Sequence, residues 1–99
     1  KGENLYDTIM TMGQYVDCLI IRHPEIGAVE EIATYSPVPI INAGDGAGQH
    51  PTQALLDLYT IERELGKIDN LKIAMVGGLA NGRTVRSLSY LLAKYNNVK

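Results

Sequence analysis

A single cysteine, Cys18, stands among the 99 residues. With no second cysteine there is neither a disulfide framework nor a thiol pair for zinc. A reducing compartment such as the cytoplasm suits a chain of this kind. Apolar runs are short, and none approaches the roughly 18 residues of a membrane-spanning helix. The chain opens on no basic region followed by an apolar stretch, so it shows no targeting segment. Charge of one sign is also lacking: 9 Lys and Arg against 11 Asp and Glu leave a formal net charge of -2. That balance gives no footprint for nucleic acid or an anionic membrane, and any cationic site has to be local. The sequence contains no G-x-x-x-x-G-K-[ST] loop, no G-x-S-x-G elbow and no H-E-x-x-H helix, which removes support for phosphate-loop, serine-nucleophile and zinc chemistry. Gly77–Gly82 follows an apolar run but lacks the G-x-G-x-x-G spacing of a dinucleotide turn. Internal repeats and low-complexity segments are absent as well.

What is present is an ordinary globular composition, 45% apolar and 20% charged, sufficient for one small domain. Leu5, Ile9 and Met12 fall on one helical face within Glu3–Tyr15, with Gly13 near the end. Val16–Ile21 is too short for a core helix and reads as a buried strand ending at Arg22-His23-Pro24. Pro24 can open a second helix whose stripe is Ile26, Val29, Ile32 and Ala33. Val38–Ile41 is a second strand. It leads into Asn42–Gln49, where three glycines in eight residues predict a flexible loop with Asp45 as a turn residue. Pro51–Leu65 forms a long helix with Leu55, Leu58 and Tyr59 at helical spacing and Gly66 closing it. Leu71–Val76 is a third strand, and Arg83–Tyr95 a fourth helix with Val85, Leu88, Leu91 and Leu92 inward. The predicted order is α-β-α-β-α-β-α, an α/β fold of parallel sheet with flanking helices.

In open parallel sheets ligands bind beyond the carboxyl ends of strands, beside helix N-termini. Three places qualify, and each carries a cation, an imidazole or an amide. Arg22 offers a planar donor fork for phosphate or carboxylate, or else a surface salt bridge. His50 precedes Pro51 and is either a ligand-facing residue at the helix start or a plain N-cap. Gln53, one turn in, reads first as part of a capping arrangement and second as an amide for the same ligand. Arg83 opens a helix, where the macrodipole disfavours a positive charge unless an anion binds. His23 faces away from Arg22 on an extended segment and reads as a structural hydrogen bonder.

Five segments taken together resemble the carbamoyltransferase family. They are Lys1-Gly2-Glu3-x-Leu5-x-Asp7-Thr8, Ile21-Arg22-His23-Pro24, Pro39-x-Ile41-Asn42-Ala43-Gly44-Asp45-Gly46, Gln49-His50-Pro51-Thr52-Gln53-Ala54-Leu55-x-Asp57 and Asn81-Gly82-Arg83-Thr84-Val85-x-Ser87-Leu88. The His-Pro-Thr-Gln motif alone also admits ornithine-specific members, whereas Gly82-Arg83-Thr84-Val85-x-Ser87-Leu88 is the aspartate-type pattern.

The resemblance implies a longer, two-domain protein of which this chain is the middle. Residues 1–50 would be the latter half of a carbamoyl phosphate domain, 51–66 a connecting helix, and 67–99 the start of an aspartate domain. It implies transfer of a carbamoyl group from carbamoyl phosphate to L-aspartate in pyrimidine biosynthesis, by a cytoplasmic homotrimer with shared active sites that is compatible with added regulatory chains. Arg22 and His50 would bind carbamoyl phosphate and polarise its carbonyl, and Gln53 would partner its amide. Arg83 would grip a carboxylate of aspartate, and Lys1 would reach the adjoining subunit's site. No cofactor, metal or protein nucleophile enters this chemistry. The family's Ser-Thr-Arg-Thr phosphate motif would precede Lys1 and its later aspartate-binding arginine would follow Lys99, so the 99 residues alone are expected to be inactive. One departure is Gly78, where the family usually has aspartate. It motivates a rival reading as a non-catalytic structural or regulatory relative; a nucleotide-binding α/β module is a second rival.

Overall fold

A computed structural model describes residues 2–99, and Lys1 lies outside them. The elements run α1 (Leu5–Met12), β1 (Leu19–His23), α2 (Ala28–Ala33), β2 (Ile40–Asp45), α3 (Pro51–Leu65) and α4 (Arg83–Leu92). The chain divides between Gly48 and Gln49 into two compact units. No helix among the described residues is long and apolar enough to cross a membrane.

In the first unit, Asn4 caps α1: its side chain accepts from the Tyr6 backbone N–H at 3.0 Å, which satisfies one of the otherwise orphaned donors of a first helical turn. The helix is shorter than its apolar spacing suggests. Beyond Met12 the bonds tighten to three-residue steps, Gln14 to Thr11 and Tyr15 to Met12, so the last turn frays. β1 and β2 pair in parallel, with Leu19 opposite Ile40, Ile20 opposite Ile41 and Ile21 opposite Asn42. β1 starts later than predicted because pairing sets it. The Leu19 N–H reaches the Pro39 carbonyl at 2.9 Å, whereas Val16 and Cys18 are exposed and lie outside the ladder.

Two expectations fail here for related reasons. The second helix begins at Ala28 rather than Pro24, because the Glu25 N–H turns to His23 Nδ1 at 3.2 Å and Gly27 takes a left-handed φ of 83°. The glycine segment is not a free loop, since its first half, Asn42–Asp45, continues β2 against β1. Asp45 ends β2 and opens the turn as predicted, its carbonyl accepting the Gly48 N–H at 2.8 Å, but its side chain is not a solvent-facing one. It is only 4% exposed, and its Oδ2 accepts the Gly27 N–H at 3.0 Å. The glycines serve close approach instead of mobility: Gly46 has φ +51°, and a Cβ there would overlap the Pro24 carbonyl oxygen. Val29 and Ile32 of α2 are buried, while Ile26, expected on the same stripe, is exposed.

In the second unit α3 packs on α4. The core gathers Leu58, Ile68 and Leu92, with Ile61, Ile73, Met75, Leu88, Leu91 and Val98 against them. Each such side chain contributes about 1.5–3 kcal/mol when fully withdrawn from water. Ala54, fully buried, and Leu58 form the inward stripe of α3; Leu55 and Tyr59, at helical spacing with Leu58, are each 59% exposed. Gly66 ends α3 at φ 69°, its N–H on the Glu62 carbonyl.

The predicted third strand, Leu71–Val76, is not a strand of any sheet. It is extended all the same, with residues alternating half-buried and exposed, as a strand period demands. Ladder formation needs a neighbour. The segment has one rung of parallel type, in which the Ile73 N–H donates to Lys99 O at 2.8 Å and the Lys99 N–H donates to Leu71 O at 3.0 Å.

Candidate functional site

Arg22 lies in the first unit, near the carboxyl end of β1. The pairing register slips beside it: Ile21 faces Asn42 but His23 faces Asp45, so β2 carries an extra residue across that step. Such bulges bend strands and re-aim side chains, and they concentrate at sheet ends and beside active sites. Arg22 is exposed there. His23 behaves as its position predicts, with Nδ1 accepting the Glu25 N–H and its carbonyl accepting the Gly46 N–H at 2.8 Å.

The second unit brings His50 and Gln53 onto the start of α3. His50 is the N-cap residue, yet its side chain makes no capping bond to the helix, which frees the ring from the structural role open to it on sequence grounds. Its backbone N–H donates to Ser87 Oγ at 2.9 Å, and the Ser87 hydroxyl donates to Gln49 Oε1 at 2.5 Å. Ser87 is buried and sits on α4, one turn after Arg83, the first residue of that helix. The His50 backbone is thus fastened to the helix that carries Arg83. His50 Nδ1 lies 3.3 Å from Thr52 Oγ1. When that hydroxyl donates to Nδ1, the ring proton resides on Nε2, where it can be offered to an oxygen.

Gln53 does not complete a cap, contrary to the reading favoured from sequence. Its Nε2 donates to Asp57 Oδ1 at 2.9 Å, one turn along α3. Arg83 is half-buried behind Gly82, an N-cap without a side-chain acceptor. Gly78 is exposed, and a Cβ there would meet nothing within 4 Å. Lys1 is outside the described residues. Ser87, Thr52 and Asp57 are supporting residues that local sequence reasoning did not single out. Their only signal was membership of the same short motifs as His50, Gln53 and Arg83.

The arrangement offers donors and one amide on rigid helix starts, suited to binding anions and carbonyl groups. Residues 1–63 match the family described as aspartate/ornithine carbamoyltransferase, carbamoyl-P binding domain. The chain is 64% identical over its full length to aspartate carbamoyltransferase 2, chloroplastic, of Pisum sativum, covering 26% of that protein. It is 59% identical over its full length to the aspartate carbamoyltransferase catalytic subunit of Methanocaldococcus jannaschii, covering 32% of it. It therefore spans about a quarter to a third of these relatives. Among solved structures it resembles Trypanosoma cruzi aspartate transcarbamoylase in complex with carbamoyl phosphate and aspartate, with TM-score 0.92 and 52% identity over 99% of this chain and 32% of that one. With a family match over residues 1–63, more than half of its length, the chain belongs to the aspartate/ornithine carbamoyltransferase family.

Proposed function

We propose that the full-length protein transfers the carbamoyl group of carbamoyl phosphate to L-aspartate, giving N-carbamoyl-L-aspartate and phosphate. The observation that carries the reading is the start of α3, where a histidine released from capping is held by its backbone to the helix bearing Arg83. The neutral amine of aspartate attacks the carbonyl carbon, a C–N bond forms, the bond to the phosphate oxygen breaks, and the amine gives up a proton. Negative charge grows on the carbonyl oxygen meanwhile. His50 and Arg22 donate to that oxygen, Gln53 takes the carbamoyl amide, Arg83 grips an aspartate carboxylate, and Lys1 acts from a neighbouring subunit. Fixed donors of this type are each worth about 3–4 kcal/mol of barrier, and orienting two substrates adds more.

The division into a carbamoyl phosphate part (1–50), a connecting helix (51–66) and an aspartate part (67–99) belongs to this reading, as do a homotrimer with shared sites, room for regulatory chains, a cytoplasmic location and a place in pyrimidine biosynthesis. The test is calorimetric titration of the full-length protein with N-(phosphonacetyl)-L-aspartate, which joins the anionic groups of both substrates in one molecule. Tight binding is expected, weakened at least tenfold by Arg83→Ala. Absence of binding contradicts the proposal.

Gly78 favours a second reading, that of a relative kept for structure. An aspartate at 78 could accept hydrogen bonds from the loop leading to Arg83, whereas glycine supplies no acceptor and adds backbone freedom. Space for the side chain exists. Gly78→Asp is expected to raise kcat/KM for aspartate several-fold and leave carbamoyl phosphate affinity nearly unchanged, measured with aspartate varied at saturating carbamoyl phosphate. An equal or lower value means that the glycine is compensated elsewhere.

A further inference from the structure

Asp57 is half-buried on α3 and receives the Gln53 amide nitrogen at 2.9 Å. A carboxylate can only accept hydrogen bonds, so it decides which end of the glutamine amide faces it. The NH2 end is used by Asp57, and Oε1 becomes the end left for a ligand. Gln53 Oε1 accepts no hydrogen bond from the described residues. An amide held this way has one N–H of its NH2 end tied to Asp57 and its acceptor end turned away from that carboxylate. That acceptor end rewards a ligand group that donates and gives nothing to one that cannot.

From this geometry we infer that Asp57 is a positioning residue that sets substrate specificity. By fixing the Gln53 amide it makes the site select an NH2 on the carbonyl carbon of an acyl phosphate over a methyl group of the same size. The inference rests on the assignment of Gln53 to the carbamoyl amide. A helix-surface pair four residues apart is otherwise a minor stabiliser of the helix, and that role would leave ligand selectivity untouched. Sites built to hydrogen-bond a substrate N–H discriminate strongly against analogues lacking it, because a polar group is then left unpaired.

The test uses the full-length protein and two stable competitors of carbamoyl phosphate that differ only at this group, phosphonoacetamide and 2-oxopropylphosphonate. Their inhibition constants are measured for the natural sequence, Asp57→Asn and Gln53→Ala. Asparagine keeps the size of aspartate but can donate or accept, so Gln53 is satisfied in either orientation. In the natural sequence the amide should bind about tenfold or more tightly than the methyl ketone. Asp57→Asn should narrow that ratio by about fivefold through weaker amide binding, with the ketone unchanged, and Gln53→Ala should narrow it at least as much. If Gln53→Ala narrows the ratio and Asp57→Asn does not, the inference falls while the function stands. If neither narrows it, the inference falls together with the Gln53 assignment. Equal weakening of both ligands by Asp57→Asn also overturns it, since that is the mark of lost packing.

Discussion

Turnover of the full-length protein at saturating substrates is expected to fall about 100-fold or more when His50 is replaced by alanine, the usual cost of removing one donor to a developing oxyanion. The fold should survive. The structural bond of His50 is made by its backbone N–H to Ser87, which alanine keeps, and the side chain caps nothing. Among the described residues the only side-chain bond lost is that to Thr52, a local one between residues two apart. A thermal midpoint within a few degrees of the natural sequence is therefore expected alongside the kinetic loss. The readings to compare are kcat with both substrates saturating and the melting curve. Unchanged kcat would remove His50 from the chemistry, and a large drop in melting temperature would mean that the ring supports the helix start after all.

A second large effect should come from mixing two inactive variants. If each site takes Arg22 from its own chain and Lys1 from the neighbour, then Lys1→Ala trimers and Arg22→Ala trimers are both inactive, since every site lacks one of the two. After dissociation and reassembly together, a mixed trimer contains one interface at which an intact Arg22 meets an intact Lys1. About one site in three of each mixed trimer should then recover, roughly a quarter of all sites after random reassembly of equal amounts, because a closed cyclic trimer repeats the same heterologous contact. Activity is compared before and after mixing at equal protein concentration. Activity no greater than that of either parent would show that the lysine does not act in trans.

Much of this was legible in the sequence because helices announce themselves locally. The proline at the start of α3 and the glycine at its end set its bounds as predicted, through fixed φ at one end and left-handed backbone at the other. Leu71–Val76, read as a third strand, pairs with no sheet. What failed required partners distant in sequence. A strand exists only where another chain segment pairs with it, so Val16–Cys18 dropped out of β1, Asn42–Asp45 joined β2, and Leu71–Val76 became an extended segment with a single rung. Gly46, just after the second strand, looked like a plain loop residue because its reason, backbone approach to Pro24, lies elsewhere in the chain. On α3, Leu55 shares the helical spacing of Leu58 yet is exposed, and Ala54 beside it is buried. Neighbouring positions on a helix differ by about 100°, and size alone does not tell which one faces the partner helix.

The candidate site was read in the same way. Arg22, His50, Gln53 and Arg83 were singled out from residue type and position at strand ends and helix starts. The bulge beside Arg22, the Ser87 hydroxyl under His50 and the carboxylate that takes the Gln53 amide were not, because each is a relation between residues instead of a property of one. His50 shows the difference most clearly. Sequence left open a capping role, and the absence of a capping bond from its side chain removes that role.

The central claim is the reaction and its acceptor. It is tested most directly by incubating the full-length protein with carbamoyl phosphate and either L-aspartate or L-ornithine, and following phosphate release with identification of the carbamoylated product. The account predicts rapid phosphate release with N-carbamoyl-L-aspartate as the product, and no reaction above background with ornithine. Carbamoylation of ornithine in preference to aspartate, or no acceptor-dependent phosphate release at all, would contradict it.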